Sequence, residues 1–364
     1  MKYVDEFRDK TLIDKLAHEI RRAVNRRRDY RIMEVCGTHT MSIFRSGLRQ
    51  ILPENIRLIS GPGCPVCVTP NAYLDRAIAL SRLPGVIVAT FGDMLRVPGS
   101  HSSLEKERSS GRAVKIVYST DDALDIARTY PAKEVVFLGI GFETTAPTVA
   151  ASIITAKKEK LGNYSVLCGH KTMPEVLEAL VKDGEVAIDA FLLPGHVSAI
   201  TGTAPYEFLA AKYGKRCVVA GFEPLDILEA ILMLVNQSKP SAEIEYTRVA
   251  GRGGNRLARR IMDMVFAKTD SEWRGIGTVK SSGLIIRKVF GRFDAERKFS
   301  ITVKAPRRDT ACICGQVLKG VKAPPDCRLF GAACNPEHPV GACMVSTEGT
   351  CAAYYKYTDR KGNG

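Results

Sequence analysis

The sequence predicts an α/β protein: two similar parallel-sheet α/β domains with a small, irregular, Cys-rich iron–sulfur module at the C-terminus. Three observations carry that prediction. Short apolar runs alternate with helical segments over most of the 364 residues, the pattern of parallel strands joined by crossover helices. Four of the helical segments open on a proline, Pro147, Pro174, Pro205 and Pro224, where a missing N–H does no harm. Five cysteines, Cys314, Cys327, Cys334, Cys343 and Cys351, crowd into 38 residues near the end, too irregular a stretch to pack without crosslinks or a metal.

In chain order, residues 5–27 read as an amphipathic helix, with Phe7, Leu12, Leu16, Ile20 and Val24 at helical spacing. Apolar runs at 32–35, 56–59, 86–89, 114–117, 135–138, 166–167, 190–193 and 218–220 read as buried strands. Between them, 75–81, 121–128, 147–158, 174–181, 205–211 and 224–235 read as helices. The character changes from Tyr246: a helix over 252–266, then β-like segments near 283–289 and 299–303, then the cysteine-rich tail. The expected division is an N-terminal helix over 1–30, a first α/β domain over 31–138, a second over 139–245, and an iron–sulfur module over 246–364.

Two short patterns recur. Gly141-Phe-Glu143 returns as Gly221-Phe-Glu223, each before a Pro-initiated helix, and Val166-Leu-Cys-Gly-His170 returns as Leu192-Leu-Pro-Gly-His196. Each places a glycine and a polar residue just after a strand. In parallel sheets that is the C-terminal edge, where open α/β folds bind ligands.

Composition narrows the function. The N-terminus lacks the apolar stretch of a secretion signal, and no apolar run approaches the roughly 20 residues a bilayer crossing needs, so we expect a cytoplasmic protein that spans no membrane. Lys and Arg outnumber Asp and Glu, 53 to 39, for a formal charge of +14. The basic clusters at Arg21-Arg22, at Arg26-Arg27-Arg28 and over 252–260 lack interleaved aromatics or a nucleic-acid fold signature. They read as a solvated basic surface or a docking face for an acidic protein, not as a nucleic-acid site. No Walker loop, Gly-x-Gly-x-x-Gly or Gly-x-Ser-x-Gly stands in a supporting context.

Sulfur carries the chemistry. Cys36 leaves a strand on the turn opened by Gly37, with His39 and Thr40 close enough to shape its environment. A nearby imidazolium or helix N-terminus would favour the thiolate. In Gly61-Pro-Gly-Cys64-Pro-Val-Cys67-Val-Thr69-Pro70, Thr69 and Pro70 read as the N-cap and first position of a helix. A Cys-x-x-Cys pair there forms a reversible disulfide or chelates a soft metal. The tail lacks the paired Cys-x2–4-Cys knuckles usual in zinc sites. Four thiolates drawn from longer loops suit a [4Fe–4S] cluster, with zinc and disulfides as the alternatives; Cys312 is a further candidate thiol. Asp93, Glu143, Thr144, Thr145, His170, His196 and Glu223 fall on strand exits, where they could transfer protons or bind a ligand.

Taken in order, Cys36-Gly-Thr-His-Thr, Gly61-Pro-Gly-Cys-Pro-Val-Cys67, Gly141-Phe-Glu-Thr-Thr-Ala-Pro147, Pro194-Gly-His-Val-Ser198, Gly221-Phe-Glu-Pro224, Gly341-Ala-Cys-Met-Val-Ser346, Glu348-Gly and Cys351-Ala-Ala-Tyr-Tyr355 closely resemble the HypD family of [NiFe]-hydrogenase maturation proteins. The likeness runs from about residue 30 to 355. It departs at Ile313, where the family leads us to expect a polar or charged residue, and Cys312 beside it stays unassigned. The resemblance implies a scaffold for assembling the Fe(CN)2CO group. Iron carrying cyanide and CO would be held at Cys36 and shared with a HypC-type chaperone; a HypE-type protein would donate cyanide. Four of the five tail thiols would hold the [4Fe–4S] cluster, and Cys36, Cys64 and Cys67 would be the essential thiols. Soft thiolates suit low-spin iron bearing such ligands. His39, Glu143 and His196 complete the expected catalytic set. An iron–sulfur-dependent thiol–disulfide oxidoreductase of the ferredoxin:thioredoxin reductase type is the alternative.

Overall fold

The structure, a computed structural model, describes residues 5–303 and 311–358. Eleven strands are formed among them: β1 (Tyr30–Glu34), β2 (Ile56–Ser60), β3 (Val86–Thr90), β4 (Val114–Ile116), β5 (Glu134–Gly139), β6 (Tyr164–Cys168), β7 (Ala190–Pro194), β8 (Arg216–Ala220), β9 (Ala242–Ile244), β10 (Phe266–Trp273) and β11 (Gly277–Ile286). The first nine make two parallel sheets, ordered β2-β1-β7-β8-β9 and β4-β3-β5-β6. The last two pair as an antiparallel hairpin with a register break between Thr269 and Ser271. The expected α/β class with parallel sheets is what forms.

The physical reason is burial on both faces. Every residue of β3 and β7 is buried, as helix-covered parallel strands require. The helices supply the facing layers: Pro224–Asn236 buries nine of its residues, Ile227, Leu228 and Ile231 among them, and Ala146–Lys158 lays Val149, Ala150 and Ile153 on the second sheet.

The chain does not complete one sheet before starting the other. It lays down β1 and β2, builds all of the second sheet, and returns at β7 to finish the first. Residues 30–60 therefore share a sheet with 190–244, and the expected division at 138/139 falls inside β5. Fully buried strands are uniformly apolar, so nothing in their composition records which neighbour they pair with.

Several boundaries also differ. A 3-10 turn, Asp5–Arg8, precedes the first helix, Lys10–Ala23, which begins where Asp9 accepts from the Leu12 N–H at 3.0 Å. The helix expected over 252–266 is Arg256–Val265, capped by Asn255. Gly254, at φ +61°, turns ahead of it with its backbone against the Ile200 carbonyl. β10 was not expected, because Lys268, Asp270 and Glu272 alternate along it and the strand sits at the surface. Residues 299–303 form no strand.

Candidate functional site

Four strand exits of the first sheet bring the sequence motifs together. Cys36 follows β1, Cys64 follows β2, His196 follows β7 and Phe222 follows β8. The parallel register places all four at the C-terminal edge, the ligand-binding side of such sheets.

Cys36 is buried at the N-terminus of the Gly37–Arg45 helix. Its Sγ lies 3.7 Å from Nε2 of His196, and the His196 ring stacks on Phe222 with centroids 4.9 Å apart. The Cys64 turn is pressed directly onto Cys36: a Cβ on Gly63 would stand 2.3 Å from the Cys36 nitrogen and 2.4 Å from its Cα. Only glycine allows that approach. Gly37 donates its N–H to the Gly63 carbonyl at 3.3 Å, and Gly61 donates to the Glu34 carbonyl at 2.8 Å, so the two sulfur-bearing turns are stitched together.

The tail closes the site. Thr38, at the start of the same helix, donates its hydroxyl to Glu348 at 2.6 Å. Burial, aided by the Glu348 charge, pushes the Cys36 thiol up to about 12. His39 does not supply the expected imidazolium. It is fully buried, its Nε2–H donates to the Gly221 carbonyl at 2.8 Å, and burial lowers it to about 4. Burial lowers His196 as well. In the free protein Cys36 is therefore a neutral thiol facing a neutral imidazole, and an incoming metal must displace its proton.

Cys64 and Cys67 form a disulfide with Cα atoms 5.2 Å apart. Cys64 caps the one-turn helix Pro65–Val68, which carries Cys67, and its Sγ accepts from the Cys67 N–H at 3.2 Å. Thr69 does not cap the next helix, Asn71–Ser81, as expected; its hydroxyl donates to the Pro65 carbonyl at 2.8 Å, closing the disulfide turn instead. Both sulfurs lie in the main core together with Cys343.

Glu143 lies at the exit of β5 in the second sheet. It is buried and accepts from the Met173 N–H at 2.9 Å through one oxygen. The other oxygen has no hydrogen-bond partner among the described residues, and burial raises the carboxyl to about 7. His170, the sequence counterpart of His196, also serves the second sheet: its Nδ1 lies 3.5 Å from Cys168 Sγ. Asp93 accepts from Ser346 at 3.3 Å, a further tie to the tail, and Glu223 pairs with Arg8.

All five tail cysteines singled out in the sequence, Cys314, Cys327, Cys334, Cys343 and Cys351, line one cavity, and Cys312 joins them. Ile313, Val317, Leu329, Phe330 and Met344 fill the spaces between them. Hydrogen bonding to Cys312 lowers the Cys314 thiol, and the Val340 N–H is directed at Cys334 Sγ, 3.4 Å away. Among the described residues, no three His, Cys, Asp or Glu side chains form a group that could hold a single metal ion. An all-thiol donor set in an apolar cavity with an N–H directed at sulfur fits an iron–sulfur cluster in kind.

Glu348 and Phe222 stand in motifs quoted above but were given no role in the site, and the Glu34–Arg49 pair was not singled out at all. Glu34 is fully buried at the end of β1; it accepts from Ser60 at 2.8 Å and faces Arg49 at 3.4 Å. Only sequence position could have indicated them: Phe222 repeats in both Gly-Phe-Glu patterns and Glu348 stands three residues before Cys351.

Comparison with known proteins gives a single answer. The family described as "HypD: Hydrogenase formation hypA family" matches residues 11–358. The chain is 47% identical to hydrogenase maturation factor HypD2 of Bradyrhizobium diazoefficiens, with 98% of this chain and 97% of that protein covered. Its identity to hydrogenase maturation factor HypD of Azotobacter vinelandii is 47%, over 98% and 97% of the two chains. For HypD of Escherichia coli K12 it is 44%, over 99% of each.

Proposed function

The chain belongs to the HypD family of hydrogenase maturation factors, and on that premise we propose that it is the scaffold on which the Fe(CN)2CO group of a [NiFe]-hydrogenase is assembled. The single observation that carries the reading is Cys36. A buried thiol faces an imidazole at 3.7 Å, at a sheet edge where a disulfide turn is pressed against it. A structural cysteine would need none of these neighbours.

The cargo is iron carrying cyanide and CO, held by Cys36 and shared with the cysteine of a HypC-type chaperone, while a HypE-type protein delivers cyanide. His196 is placed to accept the Cys36 proton as iron binds. Phe222, stacked on His196, fixes the ring plane, and Thr38 and Glu348 fix the turn beneath the thiol. The Cys64–Cys67 pair becomes two thiols by taking up two electrons, delivered one at a time by two equivalents of a low-potential one-electron donor protein, and two protons from solvent. Four of the tail cysteines would hold a [4Fe–4S] cluster, which when bound supplies single electrons. Glu143, among the described residues, accepts from the Met173 N–H and makes no hydrogen bond to Cys36 or His196.

Complementation tests the reading. In a host lacking its own HypD protein, the native chain is expected to restore hydrogenase activity and Cys36→Ala to abolish it. Cys64→Ser is expected to abolish it too. Activity retained by Cys36→Ala would refute the scaffold, and activity retained by Cys64→Ser would refute the dithiol role alone. The burial of the disulfide in the same core as Cys343 favours one second reading, an oxidoreductase of the ferredoxin:thioredoxin reductase type. That reading gives the Cys36–His196 pair no work, and partner-free turnover of a disulfide substrate would establish it.

A further inference from the structure

We infer that Arg274, in the turn between β10 and β11, is a positioning residue that fastens the Cys64–Cys67 turn to the tail-cysteine cavity and holds a positive charge beside it. This rests on the cluster reading above. The turn is wedged between the two sulfur sites. On one side the Arg274 N–H donates to the Val68 carbonyl at 2.8 Å and its Nε to the Thr69 carbonyl at 2.8 Å, the last two carbonyls of the disulfide turn. On the other side Gly275, at φ +75°, lies backbone to backbone on Gly315, the residue after Cys314: a Cβ on Gly275 would stand 2.1 Å from the Gly315 Cα. Trp273 anchors the wedge, fully buried, with its indole N–H donating to Ser282 at 2.8 Å.

The guanidinium is the telling part. Its Nη2 is buried without a hydrogen-bond partner among the described residues. A buried cationic donor left in that state is costly. Arg274 lines the same cleft as Cys312 and Cys314, so the anionic sulfur of a loaded cavity is the partner that would offset the cost. A fixed cation in a low dielectric favours the more negative, reduced form of a thiolate-ligated centre.

The experiment uses the full chain, reconstituted anaerobically with iron and sulfide and titrated with dithionite under electron paramagnetic resonance. Arg274→Gln is expected to shift the reduction equilibrium about tenfold toward the oxidised form, about 59 mV for one electron. Arg274→Lys retains the charge and is expected to stay within threefold of the native chain. An unshifted Arg274→Gln would overturn the charge assignment. Should Arg274→Gln fail to fold, a tenfold shift in Arg274→Lys would overturn it. The positioning role is read without any cluster, from the rate at which dithiothreitol reduces Cys64–Cys67. Both variants lose the Nε bond and are expected to react at least threefold faster, and unchanged rates would overturn that role. A native chain that takes up no cluster would instead refute the preceding reading, leaving the dithiothreitol rates to decide this one.

Discussion

Cys36 and the Cys64–Cys67 pair were legible as residues because each stands among turn-forming neighbours shortly after an apolar strand. Their partners were not. His196 was singled out for its strand exit, but a sequence separation of 160 from Cys36 conceals the contact, and Glu348 reaches Thr38 across a separation of 310. Nor does residue type reveal that His39 spends its N–H on a carbonyl and is neutral. Glu143 allows a sharp test of burial. Its folded value of about 7 lies above the ordinary 4.5, so the folded state keeps a proton that the unfolded chain releases. Stability therefore falls as pH rises from about 4.5 to about 7 and then levels off, a loss of about 3 kcal/mol. Glu143→Gln keeps an acceptor for the Met173 N–H and removes the titration. Relative to the native chain it is expected to be unchanged at pH 4 and more stable by up to about 3 kcal/mol at pH 8. Urea unfolding at both pH values checks this; a difference independent of pH would contradict it.

At the scale of elements, the site is an agreement between strand exits, and two predictions probe how they are joined. Gly63 carries the close approach of the β2 exit to the β1 exit. Its neighbours are backbone atoms of Cys36 and Val35, which cannot rotate away, so Gly63→Ala must separate the two turns. We expect a loss of about 2 kcal/mol or more and faster alkylation of Cys36; native stability with unchanged alkylation would contradict the packing. Arg49 joins β1 to the helix Thr350–Tyr357, lying over the Phe44 ring at 4.6 Å and the Tyr354 ring at 5.6 Å while facing buried Glu34. Arg49→Met leaves that carboxylate unpaired and is expected to cost about 3 kcal/mol at pH 7. Burial already raises Glu34 despite the arginine, so without the cation it is neutralised more readily. The cost should therefore shrink as pH falls toward 5, measurable by thermal unfolding across that range. The apolar strands were legible as elements, whereas their partners were not, and β10 hid behind its alternating charges.

On the scale of the whole molecule, the two sheets and the tail are one assembly. The chain interrupts its first sheet to build the second, and the tail then returns to both, through Glu348 to the Cys36 turn and through Ser346 to Asp93. The cysteine spacings suggested a module. What they could not express is that its cavity shares a core with the Cys64–Cys67 disulfide, since that proximity depends on the hairpin wedge around Arg274. Whether Cys36 holds iron bearing cyanide and CO is decided by purifying the protein anaerobically with a HypC-type partner and recording the infrared spectrum, where such ligands on iron absorb. Cyanide and CO stretches are expected in the native complex and are expected to vanish in Cys36→Ala. The same bands persisting in Cys36→Ala, or their absence from the native complex, would contradict this role of Cys36.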